Sequence, residues 1–74
     1  PNLRDGKNDT FIIENLDLTQ WVLEIFDRNG DRIYQSENYQ NDWTGENQIG
    51  DVFYYFLHRK NGKYQFKGWL QVIR

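Results

Sequence analysis

The sequence contains no cysteine, and this absence excludes several kinds of site. Without thiols the chain forms no disulfide, no thiolate metal site and no cysteine nucleophile. Many small secreted domains depend on disulfides for stability. A domain without them must be stabilised by the packing of its core alone.

Strong positive charge and long apolar runs are also absent. The formal net charge is −2 at pH 7, whereas nucleic-acid-binding proteins concentrate positive charge. No apolar run approaches the length of about 20 residues that a transmembrane helix needs, and no signal-peptide pattern is present. We therefore expect no nucleic-acid partner and no transmembrane segment. We also expect the chain to be a monomer. Because the chain begins at Pro1 and contains no methionine, we interpret it as one domain of a longer protein.

The chain is poor in the residues that catalysis uses. Its single serine is Ser36 and its single histidine is His58, and nothing in their spacing indicates that they meet as a serine triad requires. No glycine-rich phosphate loop and no zinc-ligand spacing occur. We interpret the protein as not being an enzyme.

Aromatic residues, in contrast, are abundant at 18% of the 74 residues. A domain of this size buries only roughly 60% of its unfolded surface, so a few large side chains must supply most of its stability. Aromatic rings bury about 150–250 Å² each. The composition therefore indicates one folded domain with an aromatic core, rather than a disordered tail.

Runs of β-forming residues separated by turn residues predict an all-β fold. Two Asn-Gly pairs, Asn29-Gly30 and Asn61-Gly62, predict hairpins with type I′ turns, in which both central residues have positive φ. The predicted strands are residues 10–13, 21–26, 32–35, 52–57 and 63–74. We predict a small antiparallel β-sandwich, immunoglobulin-like in class, although that fold usually has about seven strands.

Two further patterns indicate which segments contribute to the core. The dense aromatic run at residues 52–57 predicts a central strand that is buried on both faces. The polar stretch at residues 36–50 predicts a long ordered loop held by its two large rings, Tyr39 and Trp43.

Two acidic clusters have the oxygen ligands that calcium prefers. Asp5, Asn8 and Asp9 form the first, for which a turn that caps one end of the sandwich is the alternative interpretation. Asp27 and Asp31 form the second, where we favour the turn because Asp and Asn are expected in hairpin loops for backbone reasons. Apart from this calcium alternative, we expect no cofactor.

Exposed aromatic rings would offer a different function. Trp21, Tyr39 and Trp69 could form a planar sugar-binding platform on one face of a sheet, as in a carbohydrate-binding or adhesive β-sandwich module. Packing is the commoner role of aromatic rings in so small a domain.

Five segments in order resemble one family, the gliding motility-associated C-terminal domain, also called the type B sorting domain of the type IX secretion system. Residues 25–36 (IFDRNGDRIYQS) are similar to its I-F-N-R-x-G-x-x-V-Y-x-S core. Residues 39–45 (YQNDWTG) resemble Y-x-N-x-W-[DN]-G. The remaining segments that resemble the family are residues 1–2 with 5–11 (PN, DGKNDTF), residues 52–55 (VFYY) and residues 67–74 (KGWLQVIR).

This resemblance implies that residues 1–74 are a single C-terminal sorting domain of a larger Bacteroidota cargo protein. The implied route runs through the periplasm to secretion or attachment at the cell surface. The implied partners are outer-membrane type IX translocon components, a porin-like outer-membrane protein and the upstream cargo domain. The positions implied for recognition by the translocon are Asp5, Gly6, Asn8, Asp9, Gly30, Tyr39, Asn41, Trp43, Gly45, Lys67, Gly68, Ile73 and Arg74.

Overall fold

The computed structural model describes residues 2–3, 10–45 and 52–72, and within them every regular element except one short 3₁₀ helix is a β-strand. The all-β class predicted from the sequence is therefore confirmed. The elements are β1 (Asn2–Leu3), the 3₁₀ helix (Leu18–Gln20), β2 (Trp21–Phe26), β3 (Arg32–Ser36), β4 (Val52–Arg59) and β5 (Gln65–Val72).

These five strands form one sheet in the order β1-β5-β4-β2-β3. The pairs β2–β3, β2–β4 and β4–β5 are antiparallel, whereas the two residues of β1 run parallel to the end of β5. β4 is therefore the central strand, as the density of apolar residues in it predicted. The edges of the described sheet are β3 on one side and the short β1 on the other.

Side chains alternate between a core face and an outer face of this sheet, as the pleat requires. On β2 the core face carries Trp21, Leu23 and Ile25, which are all buried. Leu57 and Leu70 on the neighbouring strands lie on the same face and are buried with them. The outer face carries the alternate residues of the same strands.

The layer that covers the core face is made of loop segments in the described part of the chain. Phe11 and Tyr39 are buried there, and Ile13, Leu16 and Trp43 pack against the same cluster. This two-layer arrangement is compatible with a small β-sandwich. Its second layer consists of segments outside the strands, so a packed apolar cluster rather than a second ladder holds it in place.

The predicted strand at residues 10–13 is wrong, because this segment pairs with no strand of the described sheet. The backbone N–H of Phe11 instead donates to the carbonyl oxygen of Trp43 (2.9 Å), and that of Ile13 donates to Oδ1 of Asn41 (2.8 Å). The consecutive apolar residues at positions 11–13 were the signal that predicted this strand. They could not show that the backbone N–H groups of this segment donate to a loop and not to a neighbouring strand.

Both predicted hairpins are present, but their turns are not type I′. Gly30 (φ +87°) and Gly62 (φ +81°) have left-handed backbone conformations, while Asn29 and Asn61 do not. The N–H groups of the two glycines donate to the carbonyl oxygens of Asp27 and Arg59, three residues earlier. A hairpin loop longer than two residues needs one residue with a left-handed backbone, whereas a type I′ turn needs two. In each of these turns that one residue is the glycine.

The first of these turns also contains the second acidic cluster. Oδ1 of Asp27 accepts hydrogen bonds from the backbone N–H groups of Asn29 and Asp31, both at 2.9 Å. The Asp27 carboxylate therefore stabilises the turn backbone, in agreement with the interpretation favoured above. Just beyond it, Ile33 is an extra residue in β3, and the resulting bulge interrupts the register with β2 between Ile25 and Phe26.

The prediction that the central strand is buried on both faces is wrong for its outer face. Phe53 and Leu57 are buried on the core side, but Tyr54 is 49% exposed on the other side. No described segment of the chain covers the outer face, since the segments 10–18 and 37–45 both contribute to the core cluster. Whether a residue of this run is buried therefore depends on which face of β4 carries its side chain.

Candidate recognition surfaces

The motif residues of the polar loop meet at the hydroxyl of Tyr39. This hydroxyl donates to the carbonyl oxygen of Phe11 (2.5 Å) and accepts from the backbone N–H of Trp43 (3.0 Å). Tyr39 is 2% exposed, and its burial raises the pKa of the phenol well above its ordinary value. The group therefore stays protonated and available as a donor over the physiological pH range.

Asn41 and Trp43 complete the connection between the two loop segments. Asn41 has a left-handed backbone (φ +58°), a conformation that asparagine tolerates better than most residues, and its side chain accepts from Ile13. The Trp43 ring meets Phe53 edge-on, with centroids 5.2 Å apart. We call the hydrogen bonds among Phe11, Ile13, Tyr39, Asn41 and Trp43 the Tyr39 network.

The buried residues of the motif thus give the loop its shape. The Tyr39 side chain has almost no surface to offer a partner, and Gly45 is also buried with a left-handed backbone (φ +65°). The sequence prediction that the loop is held by Tyr39 and Trp43 is confirmed for its described part. The Tyr39 network therefore holds the exposed side chains of this loop in place.

The other implied recognition residues lie in three different places. Gly30 is exposed at the β2–β3 turn. Gly68 lies on the core face, where an added Cβ would come within 2.6 Å of the Tyr55 ring. Lys67 is exposed on the outer face. The remaining predicted positions, Asp5, Gly6, Asn8, Asp9, Ile73 and Arg74, lie outside the described residues.

A row of aromatic rings crosses the outer face on three neighbouring strands. In the strand register Tyr54 lies opposite Phe26 on one side and opposite Trp69 on the other. Trp69 is 52% exposed and Tyr54 is 49% exposed. Together with Phe56 and Lys67 of the next row, these rings define what we call the outer aromatic face.

This face surrounds a shallow depression of about 370 Å³ that Phe26, Tyr54, Phe56, Lys67 and Gly68 help to line. A Cβ at Gly68 would point to the core face, so Gly68 contributes only backbone to the lining of this depression. This surface was not predicted from the sequence. In residues 52–57 and 65–71, alternate aromatic residues lie on opposite faces of the sheet, and this alternation could have indicated the surface. It was overlooked because residues 52–57 were assumed to be buried on both faces.

Charged groups border the aromatic rings. Glu24 pairs with Arg32 (Oε1 to Nη1, 3.2 Å) and with His58 (Oε2 to Nε2, 2.8 Å). The His58 ring stacks on Phe56 at a centroid distance of 4.7 Å, and Nζ of Lys67 lies 5.4 Å from the centre of the same Phe56 ring. Lys67 forms no ion pair with any described carboxylate.

Several other functions find no support in the described residues. Ser36 lies opposite Leu23 on the core face, and His58 lies opposite Val22 on the outer face, so the sheet separates them. Residues 10–45 and 52–72 contain no cluster of acidic and histidine side chains that could hold a metal ion. In the same part of the chain, no helical segment has the length and hydrophobicity of a membrane-spanning helix.

The proposed sugar platform is likewise not formed by the three rings named for it. Trp21 is 6% exposed and Tyr39 is 2% exposed, so only Trp69 is accessible. Trp21 also lies on the core face, opposite the side that carries Trp69.

The described residues form a small sheet with structured loops and an exposed aromatic face. The chain matches the family model of the CHU_C Type IX secretion signal domain over residues 1–72, and it belongs to this family. Searches of curated proteins and of solved structures each found no match. Membership confirms the resemblance stated above and gives the chain a sorting role, in which it acts as a C-terminal signal for type IX secretion. Its role is therefore non-catalytic, it works with the secretion machinery, and it directs export to the cell surface or the medium.

Proposed function

We propose that residues 1–74 are the single C-terminal sorting domain of a larger Bacteroidota cargo protein and have no enzymatic activity of their own. The cargo would cross the periplasm first and then be passed to the outer-membrane type IX translocon. The partners would be translocon components and a porin-like outer-membrane protein. The observation that carries this proposal is the family match over residues 1–72.

The fold supports a signal that is recognised in the folded state. Rigid β-modules present loops on a stable scaffold, and here the four hydrogen bonds of the Tyr39 network fix the polar loop against the core. A folded signal also keeps its aromatic core away from the proteases and chaperones of the compartment it crosses.

A reporter fusion tests the proposal. Residues 1–74 are appended to a periplasm-targeted fluorescent protein and expressed in a host that has a type IX system and in a strain that lacks the translocon. We expect fluorescence at the cell surface or in the medium of the first strain only. Periplasmic retention of a folded fusion in both strains, even when the cognate outer-membrane partner is supplied, would contradict the proposal.

A further inference from the structure

The outer aromatic face exposes large rings to solvent, and these rings take no part in the packing of the core. Tyr54 and Trp69 are neighbours in the β4–β5 ladder, and about half of each side chain remains accessible to solvent. A core-facing residue of the same strand pair, Leu70, is fully buried. The protein thus holds two large rings side by side in water on a rigid central strand pair.

Such a surface has the composition of a protein interface. The cores of protein interfaces are enriched in tyrosine, tryptophan and phenylalanine, and the residues that contribute most binding energy are aromatic anchors that occupy or flank a pocket. The depression beside Phe56 and Gly68 provides the pocket. The rings are on strands rather than on loops, so binding would order little additional backbone.

Charge indicates the chemistry of the partner. The whole chain has a net charge of −2, but the strand residues of the outer face include two cations, Arg32 and Lys67, and one carboxylate, Glu24. Glu24 is already paired with Arg32 and His58. Lys67 lies at the rim of the depression without a carboxylate partner among the described residues, so it is available to pair with an acidic group.

We propose that the outer aromatic face is the docking surface for a protein component of the secretion machinery, which presents an apolar side chain next to a carboxylate. The apolar side chain would occupy the depression against Tyr54 and Phe56, with Trp69 beside Tyr54, and the carboxylate would pair with Lys67. This inference rests on the proposed sorting function and names the surface through which that function is exercised.

The test uses the fluorescent reporter fusion with variants of the outer face. Trp69→Ser and Lys67→Glu each lower the exported fraction, and the double variant lowers it by about tenfold, as expected for the loss of an interface anchor. The matched controls are Tyr64→Ser and Lys63→Glu, which change an equally exposed ring (59%) and an exposed cation outside this face. Both controls are exported like the unchanged fusion.

Folding is checked separately, by thermal unfolding of the purified variants. Because Trp69 and Lys67 point outward, all four variants retain cooperative unfolding near the temperature of the unchanged chain. Export of the folded double variant at the level of the controls overturns the docking surface while leaving the sorting function intact. Failure of the unchanged fusion to be exported overturns the sorting function itself.

Two further measurements distinguish other occupants of the face. Sedimentation of the purified chain reports self-association, and flotation with vesicles made from outer-membrane lipids reports membrane binding. We expect a monomer that does not float with the vesicles. A dimer, or vesicle binding, that the Trp69→Ser substitution abolishes would overturn a protein partner of the secretion machinery as the occupant.

Discussion

Gly68 shows how closely single residues are fitted at the core face. Its position on β5 leaves no room for a methyl group, because an added Cβ would lie 2.6 Å from the Tyr55 ring. The Tyr55 ring is held in turn by Phe11, with centroids 5.2 Å apart. The glycine of the Lys67-Gly68 motif is therefore explained by packing against the neighbouring strand, without a positive φ.

We expect Gly68→Ala to lower the free energy of unfolding by about 1–3 kcal/mol, the usual cost of inserting a group into a packed site. Urea denaturation measures the loss. In a Tyr55→Ala background the same substitution becomes nearly neutral, because the ring that causes the clash is gone. An equal loss in both backgrounds would show that the cost arises elsewhere.

The Tyr39 hydroxyl satisfies two backbone groups, and its removal leaves both without this partner. We expect Tyr39→Phe to destabilise the protein by about 1–3 kcal/mol, the cost of unsatisfied buried polar groups. Tyr64→Phe, at a ring that is 59% exposed, should cost nothing measurable. Comparison of the two variants by urea unfolding checks the prediction, and a loss of similar size in both would refute it.

The same hydroxyl makes stability depend on alkaline pH. Burial raises the pKa of Tyr39 in the folded state, so its contribution is fully present below the pKa of an unfolded tyrosine, about 10, and declines as the pH rises above that value. Unfolding free energies between about pH 8 and pH 11 should therefore fall more steeply for the unchanged chain than for Tyr39→Phe. Parallel curves would contradict this assignment. Tyr34, whose pKa burial also raises, leaves the variant with a residual decline.

At the scale of elements, the sequence predicted what local chemistry determines. The bounds of β2 were predicted correctly, and both hairpins were found because glycine is needed after each Asx residue. The strand predicted at residues 10–13 is absent. Its apolar pattern is the same whether its backbone N–H groups bond to a strand or to the Tyr39 network. The outer aromatic face was missed for a related reason, since the burial of Tyr54 depends on what covers the sheet. Lys67 was identified only through a motif, and its place on the face needed the register of β5.

The two hairpin glycines offer a direct test of backbone strain. Neither has an atom within 4 Å of the position that a Cβ would take, so substitution changes the backbone preference alone. We expect Gly30→Ala and Gly62→Ala each to cost about 1 kcal/mol, and the asparagine variants at the same positions to cost less. Thermal unfolding provides the measurement. Identical losses for alanine and asparagine would mean that the left-handed conformation is not what limits these turns.

At the scale of the whole molecule, stability should depend on packing and not on a bound ion. We expect the melting temperature to be the same in chelator and in added calcium, because a ligand that binds only the folded state would raise it. Calorimetry of the purified chain is sufficient. A rise in calcium that Asp9→Asn removes would instead establish the alternative site at Asp5, Asn8 and Asp9.

The parallel pairing of β1 with β5 brings the two ends of the described chain together. Asn2 lies beside Gln71 and Leu3 beside Val72, a separation of about 4.8 Å between neighbouring strands. A tag joined after β5 would therefore begin about one strand spacing from β1, although the two parallel strands run through this corner in the same direction. The turn at residues 60–63 lies at the far end of β5, about 25 Å away, and is the better place for a dye or an affinity tag that must not disturb the pairing of β1 with β5.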